Sequence, residues 1–123
     1  MSNWINGEDI EEIKKVLLYK KIVEVHITNE QAGTMKLDDG TVLEIVANEG
    51  CGGCSNGWYY LDELNKCENT ITNVELVYDQ KGSDEVIQIF VYAEDKPIKA
   101  IDVYGDEGNG YYGRGFTIRI EKP

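Results

Sequence analysis

The chain has 123 residues, enough for one domain that buries its own core without metal or disulfide staples. Its 41% hydrophobic and 10% aromatic content exclude a disordered tail, and a formal charge of −11, from 23 acids against 12 bases, argues against nonspecific binding to nucleic acid or to an anionic membrane. No apolar run is long enough for a bilayer, MSNWINGEDIEEIKK lacks the basic-then-apolar order of a signal peptide, and an odd number of cysteines suits a reducing compartment, so a cytoplasmic protein is expected.

In chain order, Asn6 is placed to cap a helix over roughly residues 7 to 19, with Glu8 and Asp9 in its first turn and Ile10, Ile13, Val16 and Leu17 along one face. The period then becomes two: Val23, Val25 and Ile27 are expected on one face of a strand, Glu24 and His26 on the other. TMKLDDGTVLEIVA reads as a hairpin in which Gly40 supplies the positive φ of a tight turn. After the loop NEGCGGCSNG, the run WYYLDELNK reads as a short second helix or turn carrying Tyr59, Leu61 and Leu64. TITNVELVYD, EVIQIFVYA, IKAIDVYG and GFTIRIEK read as four further strands, the first three separated by turns at Gln80 to Asp84 and Glu94 to Pro97.

The expected fold is therefore α+β in a single domain, residues 1–123: an N-terminal helix, a short middle helix and about seven strands in antiparallel meanders. An internal duplication into halves 7–57 and 58–121 is suggested by VEVHI against VELVY and by LEIVANEGCGG against IDVYGDEGNGY. On that reading each half sends one glycine-rich loop out of its third strand, and the two loops can meet.

Cys51-Gly-Gly-Cys54 has the spacing of a metal knuckle that Cys67 and His26 could complete as a zinc site, but a second close pair is missing and buried thiols are the favoured reading. No cofactor is expected. A cysteine with one histidine and no third member does not make a catalytic triad, and no motif compels an enzyme.

The segment GDEGNGYYGRG, Gly105 to Gly115, is the stronger candidate. Its five glycines let backbone N–H groups approach a ligand, Tyr111 and Tyr112 offer flat faces, and Arg114, with Arg119 just beyond, completes the chain's arginine content. The planar guanidinium fork suits a phosphate. An acidic protein that keeps both arginines here reads as built to take a small anion while repelling polyanions.

The loop E-G-C-G-G-C-S-N-G-W-Y paired with N-G-Y-Y-G resembles a family of small phage-borne domains of unknown function, to which the Thoeris anti-defence sponge proteins of the first type look related. The matching positions are Cys54, Ser55 and Trp58 in the first loop and Asn109, Gly110, Tyr111, Tyr112 and Gly113 in the second, within a likeness over roughly residues 15 to 120. The resemblance implies a sheet-rich homodimer or higher oligomer in a host cytoplasm that sequesters a cyclic ADP-ribose isomer or a cyclic oligonucleotide without cutting it. In that reading Arg114 and Arg119 hold phosphate, Tyr111, Tyr112 or Trp58 meet the base, Asn109 takes ribose or amide, and Ser55 lines the site. The competing class is an acidic protein-interaction module, such as a DNA mimic that inhibits a host enzyme.

Overall fold

The computed structural model describes residues 3–47, 58–82, 84–106 and 115–122. Among them run β1 (Asn3–Asn6), α1 (Ile10–Leu17), β2 (Ile22–Asn29), β3 (Ala32–Leu37), β4 (Val42–Ala47), β5 (Trp58–Leu64), β6 (Asn73–Lys81), β7 (Asp84–Ala93), β8 (Lys96–Asp106) and β9 (Phe116–Glu121). The strands form two antiparallel sheets, ordered β1-β9-β4-β3-β2 and β5-β8-β7-β6.

The alternation of apolar residues explains both sheets. In β4, Leu43, Ile45 and Ala47 are buried while Val42, Glu44 and Val46 are not, and β9 repeats the pattern with Phe116, Ile118 and Ile120 inside. These side chains share one core with Ile87, Ile89, Val91, Ile101 and Val103 of the other sheet and with Ile13 and Leu17 of α1. Main-chain bonds also cross between the sheets: Leu61 N–H donates to Glu30 O at 2.8 Å, and Ile22 and Cys67 exchange N–H···O bonds of 2.8 and 3.0 Å.

The expected α+β class is overturned: nine strands and one helix of eight residues make this a mostly β protein among the described residues. Two misread segments account for it. WYYLDEL is β5, not a helix; Tyr59 and Leu61 are buried in strand alternation, and a register shift between Leu61 and Glu63 resets the phase so that Leu64 is also buried, three residues on. That bulge imitates helical spacing. NWIN is β1, a short strand held by β9 from the far end of the chain.

The N-terminal helix is real but shorter than expected. Asp9, not Asn6, caps it, accepting from Glu12 N–H at 3.3 Å, while Asn6 ends β1 and its side chain accepts from Glu8 N–H at 2.8 Å. The expected hairpin is present, with Gly40 at φ 92°. The expected turn after β7 closes on two non-glycine residues of positive φ, Glu94 at 54° and Asp95 at 63°. The two meanders β2-β3-β4 and β6-β7-β8 lie in different sheets, and β9, from the second expected half, pairs with β1 and β4 in the sheet of the first.

Candidate functional site

Both glycine-rich segments arise where expected, directly after the third strand of each meander: residues 48–57 follow β4, and 107–114 follow β8. The register adds what the linear pattern lacks. Ala47 pairs with Phe116 in the first sheet, and Trp58 pairs with Asp106 in the second. Each segment therefore joins one sheet to the other, and the four boundary residues of the two segments form two cross-strand pairs that Gln31 links, its carbonyl accepting from Ala47 N–H at 2.7 Å and its side-chain amide donating to Tyr59 O at 3.1 Å. Phe116 is completely buried, and Gly7 N–H donates to its carbonyl at 2.7 Å, so this end of β9 is clamped.

Of the candidate residues, Ser55, Asn109, Tyr111, Tyr112 and Arg114, together with Cys51 and Cys54, lie outside the described residues. Trp58 opens β5. Arg119 lies three residues into β9, where its side chain meets two carboxylates: Nε is 3.1 Å from Glu44 Oε1, at an angle that does not make a hydrogen bond, and Nη2 is 3.4 Å from Glu121 Oε1. Its guanidinium carbon also lies 6.0 Å from the Trp4 ring centroid.

Cys67 and His26 are not brought together. Cys67 is buried opposite Ile22, its thiol 3.2 Å from Asn69 O and pushed up in pKa by burial, whereas His26 is exposed four residues further along β2, ~13 Å at strand rise. One tetrahedral ion cannot span that separation with bonds of ~2 Å.

Sequence reading missed a second cluster because it lies partly on β5. On the outer face of the four-stranded sheet, Asp62, Glu63 and Asp102 bring one carboxylate oxygen each within 4.8 Å of one another. Lys99 supplies the countercharge, with Nζ 2.6 Å from Glu63 and 3.1 Å from Asp102. The bonds to Glu63 and Asp102 raise the Lys99 pKa, and the bond from Lys99 lowers that of Glu63. Asp62 is pushed the other way, first by loss of hydration and then by the like charge of Asp102. Asp62 and Asp102 line a depression of about 250 Å³ with Asp84, Val86 and Tyr104. Tyr104 packs against Tyr60 with ring centroids 5.5 Å apart, two residues along the strands from the Trp58–Asp106 pair.

The sign of the Asp62 shift sets a pH-dependent outcome. A carboxyl that holds its proton more tightly when folded loses native stability as pH rises from the unfolded pKa through the folded one, and the loss is complete above both. Asp62→Asn is therefore expected to stabilise the protein at pH 7 by about 0.5 kcal/mol, the scale of an exposed charge pair, with the gain vanishing below about pH 4. Urea midpoints of the two proteins at both pH values measure it.

At the opposite end of the first sheet, a groove of about 390 Å³ runs over Ile5, Val16 and Ile120. Its Lys15 and Lys20 face Glu12 at 3.1 Å and Asp39 at 3.9 Å. No helix among the described residues is long and apolar enough to cross a membrane.

Two antiparallel sheets over one core, with two glycine-rich crossings rooted at one end, define the class of this protein. The chain belongs to the family described as a domain of unknown function (DUF7448), which matches residues 15–118. No curated protein and no solved structure matches the chain. The family agrees with the resemblance to a domain of unknown function; nothing in these comparisons links it to the Thoeris anti-defence proteins.

Proposed function

We propose that this protein is a phage-type counter-defence protein that binds and sequesters a nucleotide-derived immune signal, a cyclic ADP-ribose isomer or a cyclic oligonucleotide, without cleaving it. The observation that carries the reading is the common root of the two crossings: the registers Ala47 to Phe116 and Trp58 to Asp106 set the starts and ends of both glycine-rich segments beside each other. The residue types suited to a nucleotide are concentrated in and beside those segments: Ser55 and Trp58 in one, Asn109, Tyr111, Tyr112 and Arg114 in the other. Arg114 is the arginine on which phosphate capture rests, because Arg119 would have to leave Glu44 and Glu121 to join it. One stacked base contributes ~1–3 kcal/mol and one charge-assisted contact ~1.5–3 kcal/mol, so useful affinity needs loops already held in place. Strand pairing on both sides of each crossing supplies such anchoring.

Thermal melting against cyclic dinucleotides, cyclic trinucleotides and cyclic ADP-ribose isomers tests the reading. A specific ligand at a hundred times its Kd adds ~2.7 kcal/mol, enough to raise the melting point by several degrees. Tyr111→Ala with Arg114→Ala is expected to abolish that rise while leaving the unliganded melting point within ~2 °C of wild type, as for surface changes within about 0.5 kcal/mol. No rise with any of these ligands contradicts the proposal.

A second reading, an acidic protein-interaction module such as a DNA mimic, is favoured by one feature, the Asp62, Asp84 and Asp102 depression beside Tyr104. In that case neutralising those acids removes activity toward the host enzyme, and the Tyr111 and Arg114 substitutions leave it intact.

A further inference from the structure

Strand β2 is an outer strand of the five-stranded sheet. Its first residue, Ile22, is covered by the bridge to Cys67, but beyond it no strand pairs with the outer edge among the described residues. The other outer strands carry the features that discourage edge-to-edge pairing. β1 has four residues, β5 carries the adjacent acids Asp62 and Glu63, and β6 carries Glu75 and Asp79. β2 has register shifts of its own against β3, at Val23 and at Thr28, but residues 24 to 27 between them run regularly, the strand has no proline and no lysine, and its sequence from residue 23 is Val-Glu-Val-His-Ile.

The apolar members of that stretch are not absorbed by the core. Val25 and Ile27 pair with Met35 and Gly33, whose side of β3 is buried, yet Ile27 is 44% exposed and Val23 42%. The alternation places all three on one face of the strand, but a shared face is not a covered one. Residues 23 to 29 overhang the core, exposed apart from half-buried Val25.

We propose that β2 is the interface between two copies of this chain, pairing antiparallel with its counterpart about a twofold axis at Val25. In that register Val25 faces Val25 of the second copy, Glu24 faces its His26 on both sides of the axis, and exposed Ile27 lies beside exposed Val23, the bulged residue of the second copy. The stretch is complementary to itself, apolar against apolar and carboxylate against imidazole. Centring the pair on Glu24 or His26 would set two carboxylates or two imidazoles directly opposite, centring it on Ile27 would set Glu24 against Glu30, and centring it on Val23 would need the edge at Ile22 that the bridge to Cys67 covers, so the side chains favour the Val25 register. The two five-stranded sheets would become one of ten strands, with N–H and C=O groups of both edges paired. A contact confined to one strand lies at the small end of interfaces, below the ~1,200–2,000 Å² of a standard one, so the dimer is concentration-dependent.

Sedimentation equilibrium of the full chain over a range of concentrations tests this. Wild type is expected to pass from monomer to dimer. Glu24→Lys sets lysine against imidazole twice and is expected to raise the dimer Kd at least about tenfold, whereas Glu24→Lys combined with His26→Glu restores it to within about threefold of wild type. Both positions are exposed, and Lys36, opposite residue 24 in β3, meets the new lysine in both variants, so any cost within one chain is common to them. A wild type that stays monomeric overturns the proposal, as does a Glu24→Lys dimer of unchanged strength or a double variant that fails to recover.

Discussion

Replacing Phe116 by alanine is expected to cost about 3–5 kcal/mol of stability, read as a fall in the urea midpoint with unchanged slope. The ring is fully buried at the first residue of β9, opposite Ala47. Its surroundings are close: a methyl group built on Gly7 would stand 2.6 Å from ring atom Cε2 and 2.6 Å from the Phe116 carbonyl, which already accepts the Gly7 N–H. A strand held that tightly by its backbone cannot slide to refill the space left by the ring, so the cavity persists and the cost lies above simple transfer of the lost atoms. Thr117→Ala, next in the chain and only half-buried, is the control and is expected to stay within about 0.5 kcal/mol of wild type. Because residue 116 is where the second crossing returns to the sheet, this side chain anchors the end of the molecule proposed to bind ligand.

The second large effect is expected at Gly33. A β-carbon there would lie 2.6 Å from Leu64 Cδ1, 3.0 Å from Leu61 Cδ2 and 2.9 Å from the carbonyl oxygen of His26. The leucine tips can turn aside, but the carbonyl belongs to the neighbouring strand and moves only with β2. Gly33→Ala is expected to cost ~1–3 kcal/mol and Gly33→Val more than ~3 kcal/mol. The damage is local to the seam between the sheets, where β5 crosses β3. Hydrogen exchange at the Leu61 amide, which donates to Glu30 O at 2.8 Å, is expected to lose more protection than Ile118 in the middle of β9.

Local patterns were legible wherever one strand follows another. The β3–β4 hairpin is written in Asp38-Asp39-Gly40, with Asp39 accepting the Thr41 N–H at 2.9 Å and Gly40 in the left-handed region. The meander β6-β7-β8 is equally plain from its alternation. What failed was what depends on distant partners. Asn3 to Asn6 has no strand signal of its own and becomes β1 because Ile118 and Ile120 lie opposite. β5 was hidden by its bulge, and with it went the cluster of Asp62, Glu63, Asp102 and Lys99, since acids on a supposed helix cannot be aligned with β8. The period of Val23, Val25 and Ile27 identified a strand face but not whether anything covers it, and Val23 and Ile27 are exposed.

The candidate site was legible to the same extent. The departure of each glycine-rich segment from the third strand of a meander could be read from alternation alone. Their shared root could not, because it depends on β9 leaving the meander it follows and pairing with β4.

The central claim is binding without conversion at that root, and product analysis addresses it most directly. The protein is incubated with the compound that raises its melting point most, or with each cyclic dinucleotide, cyclic trinucleotide and cyclic ADP-ribose isomer in turn. It is freed of unbound small molecules, denatured by heat, and the released material is quantified by mass spectrometry. The expected result is one of these compounds returned intact and in stoichiometric amount, with Tyr111→Ala and Arg114→Ala protein returning none. Recovery of no compound, or of cleaved product only, would contradict the claim.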